Sequence, residues 1–137
     1  MRRIELDGRV VERGGQQFVS GRGTMADGWT EIHRIEPHGF ASHPIKGGKA
    51  LLLPMPGNPD VAFVLGGENP ANRPADLPQG GTALYDAAGN IISLVGSRIR
   101  LVAPLFEFVG DVSIDGNIEM TGGITAAGSI VDGDGGA

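Results

Sequence analysis

A six-residue repeat near the C-terminal end constrains this chain more than any other feature. From Gly110 the residues read Gly-Asp-Val-Ser-Ile-Asp, then Gly116-Asn-Ile-Glu-Met-Thr, Gly122-Gly-Ile-Thr-Ala-Ala and Gly128-Ser-Ile-Val-Asp-Gly. The third position of the units is Val112, Ile118, Ile124 and Ile130, and the fifth, in the first three, is Ile114, Met120 and Ala126. Side chains alternate along an extended backbone, so an even repeat returns both positions to one side of the strand. The in-phase set extends backward through Phe106 and Phe108. Upstream, Ile99, Leu101 and Ala103 alternate with the opposite parity, and Pro104 stands where the phase changes. A short period of this kind, with glycine available for each corner, predicts a β-helix.

Such a stripe cannot be buried by one chain. A single-chain, three-faced β-helix takes three units, about eighteen residues, for each turn, and a stack needs several repeats to be stable. Four units make little more than one coil. If copies of the chain wind together, each supplies one face of every layer, and the stripe becomes the interior of a prism. With a layer spacing of ~4.8 Å, five or six strands per chain give a shaft of roughly 25–30 Å. Intertwining also closes the sheet edges, which would otherwise invite aggregation.

The remainder of the chain reads as short strands and turns. It contains 24 Gly and 9 Pro with only 5% aromatic residues, too few large side chains for one dense core. At 40% hydrophobic and net charge −5 it lies outside the disordered class. No stretch of a dozen residues keeps a helical apolar period without Gly or Pro interrupting it. Strand patterns cover Arg3 to Arg13, Gln17 to Gly21, Trp29 to Ile35, Lys49 to Met55 and Val61 to Leu65. In the third, Trp29, Glu31 and His33 are expected on one side and Ile32 and Ile35 on the other. The last two read as buried strands. Five strands in the first 67 residues suit a small barrel of the OB type, with a sandwich fragment as the alternative. The proline-rich run from Glu68 to Pro78 is expected to cross a surface in extended form. A hairpin follows, Thr82 to Tyr85 against Ile91 to Leu94, with Asp86 to Asn90 as its turn. The predicted fold is therefore all-β: residues 1–67 a barrel, 68–97 linker and hairpin, and 98–137 the β-helix.

Function classes can be set aside on the same residues. With no cysteine there is neither a disulfide framework nor a thiolate metal site. No apolar run approaches the ~20 residues of a membrane helix, and the first five residues lack a signal peptide's apolar stretch. The acidic balance and the scarcity of aromatic platforms argue against a nucleic-acid partner. His33, His38 and His43 recur every five residues, a spacing that spreads them over strand and turn; they read as surface or satisfied histidines, not as metal ligands. Asp132-x-Asp134-Gly135 resembles the start of a calcium loop but lacks the remaining ligands and the distal Glu. Gly21-Arg22-Gly23 and Gly47-Gly48-Lys49 open no helix and read as turns instead of phosphate loops. No catalytic residue and no cofactor site is predicted. A hexapeptide-repeat acyltransferase would need more coils and a histidine beside them.

Several segments, taken in order, resemble the Mu-like phage baseplate spike family, also called baseplate assembly protein V. Ile35-Glu36-Pro37-His38-Gly39-Phe40-Ala41-Ser42-His43-Pro44 is similar to that family's V-E-P-Y-G-F-T-S-H-P segment. Lys49 to Leu53 and Val61 to Gly67 resemble its next two strands. Asn72-Arg73-Pro74, Leu77-Pro78 and Gly81 to Asn90 resemble its R-P…L-x-x-G-E-V-A-L-Y-D-x-x-G run, and the Gly-Asp-Val and Gly-Asn-Ile units its β-helix. The resemblance covers most of the chain from about residue 29 and implies an OB-fold followed by an intertwined trimeric β-helix. It implies a non-enzymatic structural protein of the virion tail baseplate, assembled in the host cytoplasm. Its expected partners are two further copies, a hub or tail-tube protein at the barrel end and, transiently, the host outer membrane. A trimeric adhesin or fibre module is the alternative. Members of the family often end in a His-x-His apex that binds iron; here no histidine follows His43, so either a separate tip protein or a shortened end is expected. The trimer core is then Phe106, Phe108, Val112, Ile114, Ile118, Met120, Ile124, Ala126 and Ile130.

Overall fold

The computed structural model describes residues 1–25, 27–131 and 133, in two units, Met1–Pro104 and Leu105–Ala137. The first unit opens with five strands, β1 (Arg2–Arg13), β2 (Gln16–Gly23), β3 (Gly28–Arg34), β4 (Lys49–Met55) and β5 (Asn58–Glu68). They close into a barrel of order β1-β2-β3-β5-β4, with β4 returning to β1. Every pairing is antiparallel except the short parallel contact of β3 with β5. This closed five-stranded barrel is compatible with the OB type, and the sandwich alternative falls away.

Alternation fills the barrel. Ile4 and Leu6 of β1, Val19 of β2, Ile32 of β3, Ala50 and Leu52 of β4, and Ala62 and Val64 of β5 form the core. Val10 and Trp29 pack against it. The intervening residues Leu51, Leu53 and Phe63 face outward and are half-buried. Thus β4 and β5 bury one face each, where continuous apolar runs had suggested two. Gly21, opposite Leu6, permits the closest backbone approach: a Cβ there would lie 2.4 Å from the Glu5 carbonyl oxygen.

The expected phasing of β3 is corrected by a bulge. Trp29 and Ile32 both face the core, whereas His33 lies outside between the rings of Phe18 and Phe63, at 5.4 and 5.9 Å. The β2–β3 register shifts between Val19 and Gly21. Glu31 adopts φ 50°, and its N–H donates to the Ser20 hydroxyl at 3.1 Å. One residue out of step suffices to bring two odd-spaced side chains to the same face.

After β5 the chain turns repeatedly, at 70–72, 75–76 and 79–80, so the linker is a series of turns and not a simple extended crossing. Asn69 organises its start. Its side chain accepts from the Ala71 N–H at 3.0 Å and donates to the Lys46 carbonyl at 3.0 Å. The hairpin follows as β6 (Thr82–Tyr85) and β7 (Ile91–Val95), and β8 (Arg98–Val102) pairs with β7 to make a three-stranded antiparallel sheet. Asp86 holds the first turn, accepting from the Ala88 and Asn90 N–H groups and from the Asn90 side chain, while Gly89 takes φ 93°.

In the second unit the backbone is extended, with bends at 110, 115–116, 121–122 and 127–128. The bends therefore recur on the six-residue period of the sequence. Gly110 and Gly116 take φ 128° and 149°, values that side-chain-bearing residues avoid. No strand ladder forms within the chain among the described residues beyond Val102.

Candidate functional site: an assembly surface

The repeat is a string of apolar side chains without a core. Phe106, Phe108, Val112, Ile114, Ile118, Met120, Ile124 and Ile130 are all exposed, from 46% for Phe106 to 73% for Phe108, and Ala126 is exposed as well. The nine are not brought together into a cluster; they are spaced along a segment that forms no strand ladder within the chain. The acidic side chains Asp111, Asp115 and Glu119 occupy the alternate or corner positions of the same units. In the single chain these apolar side chains stay open to solvent. Full burial of a side chain of this size stabilises by about 1.5–3 kcal/mol.

The barrel carries a second constellation, which sequence reasoning missed. Arg34, at the end of β3, is buried, and each nitrogen of its guanidinium meets an acceptor. Nε donates to the Gly66 carbonyl at 2.6 Å, Nη1 to the Gln17 side chain at 2.8 Å and the Ser42 carbonyl at 3.2 Å, and Nη2 to the Ser42 hydroxyl at 2.9 Å. Glu36 completes the group, with an oxygen 2.9 Å from Nη1. Its carboxylate also accepts from the Ser42 hydroxyl at 2.7 Å and the Ser42 N–H. Burial pushes the Glu36 carboxyl up, but these Ser42 hydrogen bonds and the Arg34 charge outweigh it, and the group sits below its ordinary value of 4.5. The cluster ties β2, β5 and the loop 35–48 to the end of β3. All three guanidinium nitrogens donate to the chain's own groups, so the arrangement is a staple. No local pattern signals it, since Arg34 ends a strand that also carries Thr30, Glu31 and His33.

The other sequence candidates are placed as follows. His38 and His43 are exposed in the loop while His33 lies on the barrel wall, and among the described residues no three His, Asp or Glu side chains converge to hold a metal. Gly21 to Gly23 lie within β2. The Gly47 N–H donates to the Leu6 carbonyl and the Gly48 N–H to Ile45, which leaves no nest of free donors for a phosphate. Asp132 and residues 134–137, including the calcium-like run, lie outside the described residues.

Known proteins bear on one part of this architecture. No curated protein matches the chain. Residues 8–71, which take in nearly all of the barrel, match the family model described as Bacteriophage Mu Gp45, N-terminal. Over those residues the chain is similar to the Mu Gp45 N-terminal domain, and the similarity coincides with most of the closed five-stranded barrel.

Proposed function

We propose that this chain is a non-enzymatic structural subunit, the central spike of a contractile phage-tail baseplate or of a machine derived from one. Three copies act together. The barrels, of OB type, form a collar that joins the hub or the end of the tail tube, and residues 98–137 wind with two other copies into a β-prism that points outward. The observation that carries this reading is the exposed six-residue stripe following a barrel matched to Mu Gp45.

The work done is mechanical. Sheath contraction drives the prism against the host outer membrane, and layered hydrogen bonds with an apolar interior resist bending. No strand can leave without disrupting neighbours from two other chains. Attraction to an anionic surface plays no part, since each copy carries a formal charge of −5. Electron microscopy of tail particles carrying an N-terminally tagged copy tests the assignment. Label at the baseplate centre, and particles that contract but do not breach the envelope when the chain is deleted, are expected. Label along the sheath or on side fibres would contradict it.

A further inference from the structure

Five aspartates of the chain precede a glycine: Asp7, Asp27, Asp115, Asp132 and Asp134. The last two lie outside the described residues. An Asp-Gly step is where a main chain isomerises most readily, because no Cβ screens the glycine nitrogen from the preceding carboxyl. In a folded protein the reaction also needs a neutral carboxyl, since an ionised one has no water to lose, and a backbone free to bring the two groups together. Asp7 and Asp27 are held on both counts. The Asp7 carboxylate accepts from the Arg9 N–H at 2.9 Å and from the Arg9 guanidinium at 2.9 and 2.7 Å, bonds that keep its carboxyl below the ordinary value of 3.8. Asp27 accepts from the Trp29 indole at 2.9 Å and the Arg2 guanidinium at 2.7 Å and is lowered likewise, while Gly28 is paired with Arg22 in the β2–β3 ladder. Asp115 has no such restraint. It is exposed and makes no hydrogen bond or ion pair among the described residues. The bend at 115–116 belongs to no ladder, and Gly116 takes φ 149°.

We propose that Asp115 is the site at which this chain isomerises spontaneously, through a cyclic imide, to isoaspartate. In the first step the Gly116 nitrogen loses its proton and bonds to Asp115 Cγ, and the carboxyl hydroxyl leaves with that proton as water. In the second, water adds back to the imide. Opening at the side-chain carbonyl restores aspartate, whereas opening at the main-chain carbonyl leaves the chain linked through Cβ and Cγ. No other reactant enters, and the mass is unchanged. The product carries one extra carbon in the main chain, between Ile114 and Ile118. Positions that an even repeat keeps on one side lose their common side when the main chain is lengthened between them. Because the step lies at a bend, outside the straight runs that a ladder could pair, it stays open in an assembled chain too. The consequence for function rests on the spike reading above: a converted chain no longer fits the prism beyond its first unit, so Asp115 limits how long an unassembled chain stays competent.

Incubation of the full chain at physiological temperature and mildly acidic pH, followed by digestion and peptide mapping with an isoaspartyl methyltransferase, tests the site. In the native protein isoaspartate is expected at residue 115 and not at 7 or 27. In urea, where the hydrogen bonds are gone, it is expected at all three. Arg9→Ala removes an exposed side chain and should bring isoaspartate to Asp7 while Trp29 fluorescence still reports a folded barrel. Conversion at 7 or 27 as readily as at 115 in the native protein would overturn the inference. So would an inert Asp7 in Arg9→Ala, or a native chain unconverted at 115 when the urea sample is converted there. Converted chains, separated by ion exchange, should be lost from the assembled fraction in light scattering, and their full incorporation would overturn the effect on register. A parent chain that is monomeric removes the spike reading, and the map alone then decides the site.

Discussion

Arg34 is the residue on which the barrel's closure depends most. It lies where β3 makes only a short parallel contact with β5, and its donors bridge the Gly66 carbonyl, Gln17 and Ser42 across that weak seam. Removing it takes the cation from Glu36 and the donor from the Gly66 and Ser42 carbonyls, and breaking a buried ion pair from one side costs about 3–5 kcal/mol. Arg34→Ala should destabilise the barrel by that amount, and Arg34→Lys should recover little, since an ammonium cannot reproduce the guanidinium fork. The protein's one tryptophan, Trp29, packs on the barrel core and reports unfolding by fluorescence in a urea titration. A loss under about 1 kcal/mol would assign the closure to the β-ladder alone. Glu36 makes the same group pH-sensitive. Because its folded-state pKa is depressed, its stabilisation is complete above the ordinary value of 4.5 and is lost as pH falls through the lowered value. The midpoint of denaturation should therefore drop on acidification, and Glu36→Gln should flatten that drop while lowering stability at neutral pH. An identical acid limb in the variant would place the titrating group elsewhere.

Elements differ in how far the sequence foretold them. Lys49 to Met55 reads as an apolar run bounded by Pro and Gly, and β4 has those very bounds. The hairpin was equally plain, because Asp86 and Gly89 supply the turn chemistry locally. What sequence did not reveal depends on pairing. The Glu31 bulge arises from register with β2, so no pattern within β3 could show that Trp29 turns inward. Arg98 to Val102 was assigned to the repeat by its alternation, but alternation does not tell which neighbour a strand will pair with, and β8 joins β7. The Arg34 staple draws on four separated segments and is invisible to any window. Close approach is likewise a pairing property: Gly21→Ala would push a methyl group against the Glu5 carbonyl, and should cost about 1–3 kcal/mol in the same fluorescence titration. In the repeat, Ile118→Asp tests the register. It would set three carboxylates around one prism layer, each desolvated beside like charge at a cost of several kcal/mol. Loss of the assembled shaft with Trp29 still reporting a folded barrel is expected, whereas near-normal assembly would mean that Ile118 faces solvent.

At the scale of the molecule, the barrel buries its own core and the remainder does not. Ile4, Leu6, Val19, Leu52 and Val64 are fully enclosed by one chain, yet the sheet face around Ile92 and the repeat from Phe106 to Ile130 leave theirs open. On the function proposed above, a chain that satisfies only its first half is a subunit whose second half is an interface. Multi-angle light scattering of the purified full-length protein at micromolar concentration tests that claim most directly. The account predicts a single species of three times 14.2 kDa; a folded, monodisperse 14.2 kDa monomer would contradict it.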